Sequence, residues 1–277
     1  MDLTQICSAS ADPSFIQDTR LAQPLVFIAG LAAAEMMRRK HPVDFSKITV
    51  CAGFSLGELT ALCFAGAISF EDSLRLVKVR ANAMAKCDGG GMCNVRGLDR
   101  KETQALCKKF GCQIANIICD HDAKDSIERN IYVCAGNVDV IDELVKHVNS
   151  KRDSERGIGG SCKRIRVSAA FHTKQMKPAQ AAVRRLLKEI KITLPENYLI
   201  NSNVTGQPYR SADDIRCLLV TQIISCVQWH ASIKDMQNIE KVDRFVECGP
   251  MATLSTILRS IDPQLADEDV LCSDGEK

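Results

Sequence analysis

Apolar positions along the chain recur in two rhythms, and the changes of rhythm divide it. The longest apolar stretch runs from Pro24 to Ala34. Alone it is too short to span a bilayer. It predicts a helix over 24–38 buried on most sides, with Pro24 in the first turn and Arg38, Arg39 and Lys40 at the end. Residues 1–22 before it are polar and weakly patterned, and a loop through His41-Pro42 follows. Ile48 to Val50 is a short β-branched run, and Leu56 to Ala65 reads as a helix ended by Gly66. Phe70 to Met84 carries a helical stripe of Leu74, Val77, Ala81 and Met84, with Arg75 and Lys78 off it. Arg80 lies beside the stripe, close enough to point inward.

After Asp88-Gly89-Gly90-Gly91 the rhythm shortens. Met92–Arg96, Cys112–Ile118, Ile131–Ala135 and Ser161–Val167 read as strands. Helices over Arg100–Phe110, with Leu106 on its apolar face, and over Val138–Val148 separate them. The order β-α-β-β-α-β is that of a ferredoxin-like split unit. It predicts a small domain inserted over 92–167, with Asp120–Asn130 and Lys151–Gly160 as loops. Beyond it, helices are predicted over Met176–Ile190, Ala212–Ile224, from Trp229, and over Ala252–Ile261. Strands are predicted over Tyr198–Asn203 and Arg244–Glu247, and the acidic tail is expected to be loose. Strands alternating with helices predict a parallel sheet covered on both faces.

Composition narrows the function classes. The chain has 277 residues, 45% of them apolar, with net charge +2, so no global field draws nucleic acid or membrane. Its 14 cysteines form no Cys-x-x-Cys pair and no Cys/His cluster at metal spacing, which predicts buried thiols, no metal and no disulfide framework.

The strongest chemical signal is Gly53-Phe54-Ser55-Leu56-Gly57, between a predicted strand and a predicted helix. That context suits a nucleophile elbow. Gly53 and Gly57, without Cβ atoms, allow a tight turn and a close helix, and Ser55 falls at a helix N-terminus that favours an oxyanion. The same residues also fit a serine that merely caps a helix. A serine nucleophile needs a base. His121 and His147 read as solvated, His41 lies in a loop, and His230 follows Trp229 at a helix start. His172 follows a strand and precedes a helix, so it is either the base or a satisfied structural histidine. Gln222, on an apolar helix face, either bonds a loop or orients an imidazole. Arg80, partly inward, makes either a structural ion pair or a bidentate site for a substrate carboxylate.

Gly53-Phe54-Ser55-Leu56-Gly57-Glu58, Arg80, Ala170-Phe171-His172-Thr173, Gln222 ahead of Val227-Gln228-Trp229, Glu247-Cys248-Gly249-Pro250 and Gln23-Pro24 together resemble malonyl-CoA:acyl carrier protein transacylases. The resemblance runs from about Asp2 to Ile261. Phe54, where bacterial members usually carry histidine, and Ser202-Asn203-Val204 before Gly206 resemble the animal mitochondrial form.

The resemblance implies an α/β fold: an α/β-hydrolase-like parallel-sheet core over 1–91 and 168–277, with a ferredoxin-like domain inserted over 92–167. It implies Ser55 as nucleophile, His172 as base and Gln222 as the group that holds the histidine. Leu56 N–H would serve the oxyanion. Arg80 would bind the malonyl carboxylate, with Met84, Phe54 and Phe171 lining the pocket; methylmalonyl-selective members usually carry a smaller polar residue in place of Phe171. No cofactor is implied beyond the substrates malonyl-CoA and phosphopantetheinylated acyl carrier protein. A monomer in the mitochondrion is expected. Lys174 and Lys177, with Lys163, Arg164 and Arg166, are candidates to dock the acidic carrier.

Two rival readings remain at this level. A serine hydrolase would place its histidine near the chain end, whereas about a hundred residues follow His172 and no triad acid stands out. A non-enzymatic paralogue is the other. The family opens with a strand and Gly-Gln-Gly-Ser-Gln, whose glutamine N–H is a second oxyanion donor. The chain begins after that segment, so slow acylation and low solubility are expected of it.

Overall fold

The computed structural model describes residues 17–122, 124–151, 159–167 and 169–273. Most of the polar start, most of the loop Lys151–Gly160, Ser168 and the last four residues of the tail lie outside the described residues.

In chain order the elements are α1 (Thr19–Lys40), α2 (Pro42–Phe45), β1 (Val50–Cys51), α3 (Gly57–Phe64) and α4 (Phe70–Ala85). Then come β2 (Gly90–Arg96), α5 (Arg100–Phe110), β3 (Gln113–Cys119), β4 (Ile131–Asn137), α6 (Val138–Ser150) and β5 (Ser161–Ile165). The remainder is α7 (Lys177–Leu187), β6 (Leu199–Ile200), α8 (Ala212–Gln222), β7 (Val227–Gln228), α9 (Trp229–Asn238), β8 (Phe245–Glu247), α10 (Thr253–Ile261) and β9 (Val270–Cys272).

Strands β2 to β5 take the ferredoxin-like order β5-β2-β4-β3, with every pair among them antiparallel. α5 starts with an Asp99–Glu102 capping box and ends at left-handed Gly111, so both ends are encoded locally. Both faces of the sheet are covered. Cys93, Val95 and Cys134 pack with Cys107, Ile141, Leu144 and Val148 of the two helices. Met92, Ala115, Val133 and Ala135 join a core with Trp229, Ile233 and Leu258. β7 extends this sheet, parallel to β3 at Asn116 and Ile117, and so ties it to α8 and α9.

Three expectations need correction. The parallel sheet is short and divided among the described residues: β1 pairs with β6, β8 pairs with β9, and β7 lies on the ferredoxin-like sheet. These strands are two or three residues long because turns follow them closely, one of them through Gly53. The tail is not wholly loose: Val270-Leu271-Cys272 pairs with Phe245-Val246-Glu247. His41-Pro42 opens a helical turn, with Pro42 at its first position.

α1 begins earlier than its apolar run, because the Asp18 side chain caps Arg20 N–H. Pro24 therefore sits inside a helix of 22 residues. By length and composition that helix could cross a membrane. Here it packs on α3 and α4, burying Leu25, Phe27, Gly30, Ala34 and Met37 on one face rather than most sides. Exposed Arg20, Arg38 and Arg39 flank it.

Candidate active site

The elbow is built by one glycine, one asparagine and one buried acid. A Cβ on Gly53 would lie 2.0 Å from the carbonyl carbon and oxygen of Gly57, so only glycine fits there. A Cβ on Gly57 meets nothing within 4 Å, so the close approach of the Gly57 main chain depends on the missing Cβ of Gly53 and not on its own. Ser55 is left-handed, at φ 54°, a strained conformation for serine. The Asn203 side chain fixes it, accepting from Ser55 N–H at 2.6 Å and donating to Gly53 C=O at 2.8 Å. Leu56 precedes α3, and its N–H enters none of the hydrogen bonds among the described residues.

His172, also left-handed at φ 59°, lies on the loop after β5 and is 4% exposed. Its Nε2 is 2.7 Å from Ser55 Oγ, and its Nδ1 is 2.9 Å from the main-chain oxygen of Gln222. That carbonyl is available because it ends α8, where last-turn carbonyls lack helical partners. A carbonyl can only accept, so Nδ1 carries the proton and Nε2 accepts from the serine hydroxyl. Burial first, then the Arg80 charge, bring the His172 pKa down to about 4, opposed by the bond to Gln222. The imidazole is therefore neutral at physiological pH, with Nε2 open to accept a proton. The contact between Gln222 and the histidine runs through the main chain of Gln222, not its side chain.

The Gln222 side chain has other work. Its Nε2 donates to Ser55 C=O at 2.7 Å and to Glu58 Oε2 at 2.5 Å, and its Oε1 accepts from Arg80 at 3.2 Å. Arg80 rises from α4 and is 3% exposed. Its guanidinium also donates to Gln23 Oε1 at 2.6 Å and to Ser55 Oγ at 3.0 Å. Burial pulls its pKa down to about 10, which still leaves it charged, and Glu58 opposes the fall. Met84, one turn after Arg80 and buried, meets Gln23 Nε2 through its sulfur. Phe54 packs edge-on against Trp229 with centroids 5.5 Å apart, and Phe171 packs between the two large apolar cores.

Ser55, His172, Arg80 and Gln222 thus converge. Glu58, Tyr209 and the clamping role of Asn203 escaped sequence reasoning. Glu58 is wholly buried and receives Asn203 N–H at 2.9 Å and the Tyr209 hydroxyl. Its signal was a charged residue on the inner side of an apolar helix. Two histidines expected to be solvated are half-buried and make contacts: His121 with Ser260 C=O at 3.1 Å and the ring of His230, and His147 with the ring of Phe110. Arg164, a docking candidate, is engaged with Asp142 and Val138 C=O, whereas Lys163, Arg166, Lys174 and Lys177 are exposed. No group of His, Cys, Asp or Glu among the described residues is arranged to hold a metal.

The acyl transferase domain family matches residues 2–267. The chain is 34% identical to a probable malonyl-CoA-acyl carrier protein transacylase, mitochondrial, of Drosophila melanogaster, over 96% of this chain and 70% of that protein. It is 37% identical to the polyketide biosynthesis protein ThaF of Burkholderia thailandensis, over 96% of this chain and only 21% of that much longer protein. A malonyl CoA-acyl carrier protein transacylase from Coxiella burnetii superposes with a TM-score of 0.85 at 26% identity, covering 99% of this chain and 81% of that one.

Proposed function

Because the chain belongs to the malonyl-CoA:acyl carrier protein transacylase family of acyl transferase domains, we propose that it moves a malonyl group from malonyl-CoA to the phosphopantetheine thiol of acyl carrier protein. The observation that carries this reading is one serine oxygen held by a neutral histidine at 2.7 Å and by a buried arginine at 3.0 Å. The histidine supplies a base, and the arginine supplies a charge for an acyl chain that ends in a carboxylate.

The malonyl carboxylate pairs with Arg80. Ser55 Oγ attacks the thioester carbon while His172 Nε2 takes the hydroxyl proton. Leu56 N–H, at the N-terminal end of α3, receives the oxyanion. The intermediate collapses, the C–S bond breaks, and His172 returns its proton to the departing CoA thiolate. The carrier thiol then attacks the malonyl ester, gives its proton to His172 and leaves as thioester, and Ser55 recovers its proton. The gain in pairing a desolvated guanidinium with a carboxylate is what selects malonyl over acetyl.

The finer assignments follow from the same reading. The chain divides into a core over 1–91 and 168–277 and an insertion over 92–167. The mitochondrial designation of the Drosophila relative supports a mitochondrial enzyme of fatty acid synthesis. The experiment is incubation with malonyl-CoA and phosphopantetheinylated acyl carrier protein, with products resolved by mass. Malonylated carrier is expected, lost in Ser55→Ala and slowed by roughly two to four orders of magnitude in His172→Ala. Free malonate without malonylated carrier would make the protein a hydrolase, and no reaction would leave it a binding protein.

A further inference from the structure

Arg80 would be expected to lie against a carboxylate. Among the described residues it does not. Its amino groups meet two amide oxygens and a hydroxyl: Gln23 Oε1, Gln222 Oε1 and Ser55 Oγ. Each amide is turned by its neighbours. Gln23 Nε2 is engaged by Thr19 Oγ1 and the Met84 sulfur. Gln222 Nε2 is engaged by Ser55 C=O and Glu58 Oε2, two groups that can only accept. With both its hydrogens committed, Gln222 must present oxygen to Arg80.

Glu58 sits behind this arrangement. The groups facing it are Asn203 N–H, the Tyr209 hydroxyl and Gln222 Nε2, with Arg80 next beyond. The two N–H groups can only donate and the Tyr209 hydroxyl can donate as well, an arrangement that suits an ionised carboxylate. Burial outweighs the three hydrogen bonds and the Arg80 charge, so the Glu58 pKa lies above the usual carboxylate value, and it is those four groups that hold the rise back.

We propose that Glu58 is a positioning residue: its buried carboxylate balances the Arg80 charge without touching it and turns the Gln222 amide, so that the guanidinium stays free to take a substrate carboxylate. The proposal rests on the reading of Arg80 as the malonyl partner. Direct contact between Glu58 and Arg80 would stabilise the empty site and compete with substrate. Removal of the acid would leave a bare buried cation. One intervening amide avoids both. In Glu58→Gln the side-chain amide brings its own hydrogens to Gln222, which then turns and offers N–H to Arg80.

The test separates binding from chemistry. Calorimetry of malonyl-CoA and acetyl-CoA is run on Ser55→Ala and on Ser55→Ala with Glu58→Gln, from neutral to alkaline pH. Glu58→Gln is expected to weaken malonyl-CoA by at least about tenfold and acetyl-CoA by less than about threefold. The alkaline loss of malonyl affinity, where Arg80 gives up its proton, should move to lower pH, which a merely structural role would not produce. Discrimination present in Ser55→Ala and unchanged in the double variant would overturn the role of Glu58 alone. Equal weakening of both thioesters would do the same. Equal binding of the two thioesters by Ser55→Ala itself would overturn the reading of Arg80 and this proposal together. Should Glu58→Gln not fold, Tyr209→Phe removes one donor from the carboxylate. It is expected to lower malonyl preference less but in the same direction, and no change in preference would refute the proposal.

Discussion

Arg80 and His172 share Ser55 Oγ, and the two residues should fail differently. Under the proposed function, Arg80→Ala removes the partner of the malonyl carboxylate and leaves Ser55 and His172 in place. Competition between malonyl-CoA and acetyl-CoA should show malonyl transfer falling by roughly two to three orders of magnitude, with acetyl transfer little changed. An equal fall in both would make Arg80 structural. The pH profile belongs to His172. With its pKa drawn down to about 4, the neutral base persists well below the ordinary histidine range. The initial rate of Ser55 acylation should therefore hold from pH 8 to about pH 5 and decline toward 4, rather than halve near 6.5. Ser55 and His172 were legible because strand–turn–helix and strand–loop–helix contexts surround them in sequence. Glu58 was in view, within the elbow motif, but its partners Asn203, Tyr209 and Gln222 lie far along the chain. The apolar helix around Glu58 hints at its burial, but nothing local says which groups will receive it.

At the scale of elements, the elbow is the part most constrained by backbone geometry. Gly53→Ala would force a Cβ to within 2.0 Å of Gly57 main-chain atoms. Backbone cannot yield as a side-chain tip can, so a stability loss above roughly 4 kcal/mol is expected in denaturant titration. Gly57→Ala points its methyl into open space at the first position of α3 and should be neutral or stabilising, by up to about 1 kcal/mol. A large loss at both would show that the turn is held in some other way. α4, α5 and α6 were legible from periodicity, reinforced by the Ser69 cap of α4 and by the capping box and Gly111 of α5. β7 was not: two residues are too few for a period, and its place is set by pairing with β3. The start of α1 was missed because Asp18, not the apolar run, decides it.

The whole molecule carries charge and titration effects that no single element shows. His172 and His230 are both held near pKa 4, chiefly by burial. The unfolded chain protonates them near 6.5, so it binds more protons than the folded one between about 6.5 and 4. Their contribution to stability is present above 6.5 and is lost as pH falls through that window. Thermal melts should show the decline, and His230→Gln should flatten part of it. The proposed docking of the carrier would be a second global effect. Charge reversal at exposed Lys174 and Lys177 should raise the KM for carrier protein and leave that for malonyl-CoA nearly unchanged; equal effects would assign these lysines to CoA phosphates. Ion pairing at Arg164 could not be foreseen, because Asp142 lies on another element. The most direct test of the catalytic account is peptide mapping after brief exposure to malonyl-CoA alone. The account predicts one malonyl ester, on Ser55, absent from Ser55→Ala and discharged by phosphopantetheinylated carrier. A malonyl group on any other residue, or one that persists in Ser55→Ala, would contradict it.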